Sequence, residues 1–256
     1  MSVTIDSKET SAVSLSLAAT GRLNAEEQSL VERVQTDVRQ LKPGEYLQRE
    51  GERVSDCYFV RDGWLIRRRE GVDGARYATN VFLPGDVFAM HLGFRRKALF
   101  DIVATTEAEV SIVDFNDLHA IAQMSDNIGN ALDWNSARSF HIASEHLINN
   151  MALPAQQRVL HLLPELWCRL MAVGQASDTS FTLPLRQEVL GQLLGLTNVT
   201  ISKAFSTLRR ENILTYDKNR VVTFRDVEDS IEYCDFDPAF LELFQPHGTL
   251  SLSEYT

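Results

Sequence analysis

Apolar and polar positions change period twice along the chain. Between Leu41 and Phe115, runs such as "CYFVRDGWLIRRR", "ARYATNVFL" and "FDIVATTEAEVSIVDF" alternate in places with period two and are rich in aromatic and β-branched residues, as half-buried strands require. Pro43-Gly44, Gly51, Asp62-Gly63, Asp73-Gly74 and Pro84-Gly85-Asp86 punctuate these runs, with Gly63, Gly74 and Gly85 eleven residues apart. Short strands at regular spacing, separated by turn residues, predict an all-β barrel or roll.

From Asp126 to Asn150 the spacing becomes helical, free of proline and strand-like runs. Leu132, Phe140, Ala143, Leu147 and Met151 lie three, four or eight residues apart and share one face of the predicted helix, with Ser136 interrupting the stripe. Such a helix is long enough to pair with a copy of itself, or to lie on the roll as a core helix. Leu153-Pro154 ends it, because the residue before proline avoids the helical region and proline suits a first helical turn. A hinge at residues 151–154 follows, then a helix through "AQQRVLHLLPELWCRLMAVG", in which Pro164 removes a backbone hydrogen bond. At the other end, residues 1–20 are Ser/Thr-rich without a clear period and read as a flexible tail, and Asn24 caps a helix beginning "AEEQSLVERV".

The stretch "LRQEVLGQLLGLTNVTISKAFSTLRREN" has a different grammar. Gly191 is small where helices approach, Gly195 follows four residues later where a turn needs backbone freedom, and Ile201 comes six after that, facing a core with Leu190, Leu194 and Leu196. These offsets describe a helix-turn-helix. Thr197 caps the second helix, and Asn198, Val199, Ser202 and Lys203 project from its first turns, the part that meets base edges in the major groove. "ILTYDKNRVVTF" then reads as two short strands around a basic tip, a wing. Arg186, Thr197, Thr200, Arg209, Arg210, Lys218 and Arg220 are the expected phosphate contacts.

Charge sharpens the contrast between the parts. The chain of 256 residues carries a net charge of −10, yet between Leu185 and Arg225 seven Lys/Arg face three Asp/Glu, a local balance of +4. A basic module on an acidic body is the pattern of a nucleic-acid reader attached to something else. With 44% hydrophobic and 23% charged residues the chain is ordinary globular material. No apolar run reaches the roughly 20 residues of a membrane span and no leader pattern opens the sequence, so a cytoplasmic protein is expected. Cys57, Cys168 and Cys234 fall in no ligand spacing and read as idle thiols; oxidation of Cys57 or Cys168 is the redox alternative. No nucleophile–base pair, metal motif or phosphate loop supports an enzyme.

Taken in order, "VRDGW" and "LPGDVF" in the roll turns, "AQQRVLHLL" after the hinge and "RQEVLGQLLGLTNVTISK" resemble the Crp/Fnr superfamily of bacterial transcription regulators over roughly residues 24–245. "YCDFDPAFLEL" resembles the C-terminal extension of a proteobacterial subgroup. The resemblance implies an α+β fold: a β-roll of the cyclic-nucleotide-binding type, a long dimerisation helix and a C-terminal winged helix-turn-helix. It implies a tail at 1–20, a roll domain at 21–125, a dimerisation helix and hinge at 126–153, a DNA-binding domain at 154–230 and an extension at 231–256. It also implies a homodimer on a pseudo-palindromic site with half-sites about one helical turn apart, with RNA polymerase as a further partner. Leu132, Phe140, Ala143, Leu147 and Met151 are then the dimer seam.

Three departures from the family pattern carry expectations of their own. Cyclic-nucleotide-binding members have Gly-Glu-Leu and then Arg-Ser or Arg-Thr, where this chain has Ala89, Met90 and His91, then Ala98 and Leu99. With neither charge partner in register, cAMP is not expected; Arg95 and Arg96 lie near as cations for an anionic ligand, or as a basic loop facing solvent. Iron–sulfur members need N-terminal cysteines and this chain has none before Cys57, so no cluster is expected. His91, His119, His141, His146 and His161 are available to a haem, though no spacing favours it. In the reading helix, Val199 and Lys203 stand where members often have Glu and Arg, which predicts a different half-site. The expected function is sequence-specific transcription regulation with an unidentified effector or none. The alternative is a ligand-sensing protein-interaction module with a degenerate helix-turn-helix.

Overall fold

The computed structural model describes residues 11–21, 23–89 and 97–237. Among these, two four-stranded antiparallel sheets build the roll. One has the order β1 (Asp37–Leu41), β8 (Ala108–Asp114), β3 (Asp56–Asp62) and β6 (Val87–Phe88). The other runs β2 (Tyr46–Gln48), β7 (Asp101–Ala104), β4 (Leu65–Glu70) and β5 (Arg76–Phe82). Apolar alternation sets the register: Cys57 faces Val113 and Val60 faces Val110 across β3 and β8, and all four are buried. The sheet begins before Leu41, since β1 is an edge strand in which only Leu41 is buried and polar residues hide the strand period.

The tail expected at 1–20 needs correction. Ala12–Gly21 forms helix α1, and Val13 and Leu17, one turn apart, are fully buried with Ile128 and Ala131. Serines surround the two anchors and blur the period, yet Ser14 is itself buried and its hydroxyl donates to Glu32 at 2.7 Å. Helix α2 (Ala25–Arg33) starts with a capping box: Asn24 accepts from the Glu26 and Glu27 amides, while the Glu27 carboxylate accepts from the Asn24 amide. Ser125 and Asn127 also donate to Glu27, tying α2 to the start of a later helix and, with Asn24, holding its pKa below the ordinary carboxylate value.

After α3 (Phe115–Met124), α4 runs from Asp126 to Ala152, capped by Ser125. Leu132 does not join the expected seam. It is buried within its own protomer beside Leu118, Ile121 and Ile128, because the helix face it shares with Ile128 lies on the roll. Phe140, Leu147 and Met151 are 71%, 61% and 71% exposed, Ile148 joins them, and Ala143 is half-buried. Leu153 and Pro154 are extended, and α5 (Ala155–Met171) continues through Pro164.

Every residue of α5 from Val159 to Leu170 is buried. One apolar cluster joins Trp64, Ile66 and Val81 of the roll to Leu160 and Leu163 of α5 and to Leu190 and Ile201 beyond it. The roll and the C-terminal domain therefore share a core. A charged cluster lies inside the same junction. Asp86 accepts from Arg138 of α4 at 3.1 Å and from Arg169 of α5; Arg169 also donates to Glu165 at 2.8 Å, and His146 of α4 meets Glu165 at 2.5 Å. Gly85 is what lets the turn carrying Asp86 enter: its φ is +95°, and a Cβ there would lie 2.8 Å from Ser16 and Val173.

Candidate nucleic-acid interface

The C-terminal domain places α6 (Gln187–Leu194) and α7 (Asn198–Arg210) around a three-residue turn, beside a sheet of order β10 (Leu214–Tyr216), β11 (Val221–Phe224), β9 (Ser180–Thr182). A short helix α8 (Val227–Tyr233) follows. Gly195 ends α6 in the left-handed region with φ 63° and its amide caps Gly191. Gly191 is small for a more local reason than helix approach: a Cβ there would sit 2.5 Å from the Leu196 carbonyl, the backbone of the turn itself. Ile201 is fully buried with Leu190, Leu194 and Phe205, so the opposite face of α7 is fixed outward.

That outer face carries the predicted readers. Asn198, Val199, Ser202 and Lys203 are all exposed, Val199 to 63%. An exposed valine at a helix start has no packing role and suits an apolar contact such as a thymine methyl. Ser206 extends the same stripe one turn beyond Ser202 and was not among the predicted readers; its spacing of four from Ser202 is the signal for it. The Thr197 hydroxyl accepts from the Thr200 amide at 3.2 Å and pairs with the Thr200 hydroxyl at 2.9 Å, so both threonines build the cap. The other first-turn amides point along the axis toward the positive end of the dipole, a place for a phosphate.

The cations around this helix divide by what holds them. Arg186 is exposed at the start of α6, and Arg209 and Arg210 at the end of α7, with Arg210 only 4.0 Å from Glu211 in a solvent-exposed pair. Lys218 stands exposed at the wing tip. Arg220 is different: its guanidinium donates to the Pro184 carbonyl and its φ is 62°, so it braces the wing against the segment before α6. Asp217, a negative charge near a predicted phosphate surface, accepts from the Asn219 and Val221 amides and shapes the wing turn. The Tyr216 ring stacks on Phe205 at 4.9 Å, locking wing to helix.

The hinge is tied to the same unit. Asn150 donates to the Leu193 carbonyl at 3.1 Å, and Arg158 donates to Leu153 at 2.7 Å and Leu194 at 3.4 Å. The last carbonyls of α6 are thus satisfied by α4 and α5, which links the position of the reading helix to the long helix.

The remaining sequence candidates fall elsewhere. His146 is engaged by Glu165, and His161 by Asn149 at 3.1 Å, with burial lowering the His161 pKa. His119 pairs with Gln123 and stacks on Phe115, and His141 is exposed. Met90, His91, Arg95, Arg96 and most of the 231–256 extension lie outside the described residues.

Known proteins share both halves. The family model described as "Crp-like helix-turn-helix domain" matches residues 157–229, and "Cyclic nucleotide-binding domain" matches residues 38–125. The nitrogen fixation regulation protein FixK of Azorhizobium caulinodans is 29% identical over 68% of this chain and 69% of its own length. The transcriptional regulatory protein btr of Bordetella pertussis is 26% identical over 64% of this chain and 67% of its own. The structure of FixK2 from Bradyrhizobium japonicum superposes with a TM-score of 0.67 at 25% identity, covering 76% of this chain and 95% of that one. In the roll, Ala89 and Ala98 are buried among Phe82, Phe88 and Ile102, and Leu99 is aliphatic. The side chains of these three residues carry neither a charge nor a hydrogen-bonding group.

Proposed function

The chain belongs to the Crp/Fnr superfamily of bacterial transcription regulators, and from that premise we propose that it acts as a homodimer reading a pseudo-palindromic DNA site through α7. It is a transcription regulator with a helix-turn-helix DNA-binding domain. The observation that carries the finer reading is the face of α7 itself. Asn198, Val199, Ser202 and Lys203 stand clear of the core while Ile201 anchors the helix behind them. Flanking cations at Arg186, Arg209, Arg210 and Lys218 supply the sequence-independent part of binding, which salt weakens.

On this reading the exposed Phe140, Leu147, Ile148 and Met151 of α4 meet the same residues of a second copy. The partners are duplex DNA, that second copy and RNA polymerase; the protein works in the cytoplasm and performs no catalytic step. Neither cAMP nor an iron–sulfur cluster is its cofactor, since Ala89, Ala98 and Leu99 replace the charged nucleotide contacts and Cys57, the first cysteine, lies buried in β3. Selecting bound duplexes from a random pool tests the reading. Enrichment of an inverted repeat with half-sites about one turn apart is expected, and a pool without sequence preference at physiological salt would overturn it.

A further inference from the structure

Helix α1 precedes the roll in sequence, yet it packs where the roll meets the rest of the chain. Val13 and Leu17, both fully buried, share one apolar cluster with Phe59 of β3, Val87 of β6 and Ile128 and Ala131 of α4. A polar hold comes from α2: the Ser11 amide and the Ser14 hydroxyl both donate to Glu32 Oε1, at 3.2 and 2.7 Å. The closest approach is at Gly85. A Cβ placed there would lie 2.8 Å from Ser16 Cβ, 2.8 Å from Val173 Cγ1 and 2.9 Å from the Ala12 carbonyl oxygen. Helix α1, the end of α5 and the Leu83–Asp86 turn therefore meet at one point with no room for a methyl group.

That point matters because of what the turn carries. Asp86, the next residue, accepts from Arg138 and Arg169 and so joins the roll to α4 and α5. The Gly85 amide donates to the Val60 carbonyl at 2.9 Å and the Leu83 amide donates to Asp86 Oδ2 at 2.8 Å, which makes the turn a fixed mount for the carboxylate. Helix α1 packs directly on this mount. The attractions Asp86 makes are strong only while their surroundings stay dry, since they scale inversely with the local dielectric constant. The cover is lightly held: its apolar anchors are Val13 and Leu17, with Ala18 partly buried beside them, while the other buried positions are Ser14 and Ser16 and Leu15 is 40% exposed. Segments with few buried apolar contacts open at low cost.

We propose that α1 is a clasp on the joint between the roll and the DNA-binding domain: seated, it keeps the Leu83–Asp86 turn dry and α5 fixed, and unseated, it lets α5 move against the roll. The link runs from α1 through Gly85 and Asp86 to Arg169, and along α5 to Arg158, which donates to the Leu194 carbonyl at the end of α6. Two half-sites demand a fixed distance between the two copies of α7. Unseating α1 therefore lowers affinity for the selected site and leaves the charge-driven affinity for random duplex in place. This last consequence rests on the function proposed above, whereas the loosening of α5 does not.

Amide hydrogen exchange on the full-length protein without DNA tests the clasp. Leu17→Ala should speed exchange over residues 83–87 and 165–173 by about tenfold or more, as sub-global opening of such a unit implies. Glu32→Ala should do so less, and Leu15→Ala, on the exposed side of α1, should change nothing there. The amides of α6 and α7 should keep their protection in all three. In an Asp86→Asn background Leu17→Ala should add no further acceleration at 165–173, because both changes act through one joint. Leu17→Val replaces Leu17→Ala if circular dichroism shows the latter unfolded. With DNA, Leu17→Ala should lower the ratio of selected-site to random-duplex affinity by roughly 5- to 150-fold, the range of a coupling between distant sites. Faster exchange confined to α1 and α2, equal acceleration in α7, a fully additive effect with Asp86→Asn, or an unchanged affinity ratio would each overturn the proposal. Should the selection yield no preferred site, the exchange measurements decide alone, so the two failures are separate.

Discussion

Arg169 on α5 and Asp86 in the turn ahead of β6 meet at 2.5 Å, with side chains 4% and 11% exposed. This contact ties the DNA-binding domain to the roll from inside. Arg138 and Glu165 complete a cluster of two buried cations and two buried carboxylates, with His146 against Glu165. Removing one partner of such a group strands the rest, at a cost of roughly 3–5 kcal/mol. Asp86→Ala should therefore lower stability by about that amount in urea unfolding. Glu50→Ala, which breaks the exposed pair with Arg69, should cost no more than about 1 kcal/mol. Equal effects of the two would remove the junction's special standing.

The same cluster sets an acid limit. Burial opposes ionisation of Glu165, yet the charges and hydrogen bonds of His146 and Arg169 outweigh it and lower its pKa from 4.5 to about 2. A folded-state pKa below the unfolded one gives stability that is complete above the unfolded value and is lost as pH falls toward the folded one. Stability should thus decline between 4.5 and about 2. Glu165→Gln should be less stable near neutral pH and show a shallower decline over that window. Thermal midpoints near neutrality and at about pH 3 check this, and an unchanged slope in the variant would contradict it.

Lys203 and Lys218 are exposed cations with different expected roles, one on the reading helix and one on the wing. Lys203→Ala should cost about 1–3 kcal/mol of discrimination between the selected site and random duplex. Lys218→Ala should weaken both about equally and reduce the salt slope by about 1. Competition binding at two salt concentrations separates these outcomes. Uniform weakening by Lys203→Ala would move that residue to the phosphate group.

Leu132 and Leu147 share a helix but not a fate, one being 7% and the other 61% exposed. Leu147→Glu should shift the protein toward monomers in analytical ultracentrifugation without unfolding them. Leu132→Ala should instead destabilise the protomer by roughly 2–5 kcal/mol, the range for a buried leucine, while leaving the oligomeric state alone. A monomer from Leu132→Ala would return that residue to the seam.

What could be read in advance follows from the range of the forces involved. The helix-turn-helix was legible because its determinants are local: Gly195, Thr197 and Ile201 act within a few residues of one another. The roll was legible from turn glycines and strand period, and the Asn24 cap from a single tetrad. Helix α1 was not, because only Val13 and Leu17 anchor it and their burial depends on Ile128 and Ala131, more than a hundred residues away. The charged junction was hidden for the same reason. Only Glu165 and Arg169 form a local pair, while Asp86, Arg138 and His146 arrive from other elements.

The cysteines offer a last test, because the sequence left a redox role open for Cys57 and Cys168. All three thiols are buried. Burial is the main cause that pushes each pKa up to about 12, with Asp56 and Asp114 adding to it at Cys57, Glu165 at Cys168 and Asp235 at Cys234. Thiolate is the reactive form, and at about pH 8 a thiol so placed supplies almost none of it. The native protein should take up no maleimide over the time in which a free thiol reacts fully, and all three cysteines should label once urea unfolds the chain. Mild peroxide should likewise leave DNA affinity unchanged. Rapid labelling of Cys57 or Cys168 in the folded protein, together with altered DNA binding, would restore the redox switch.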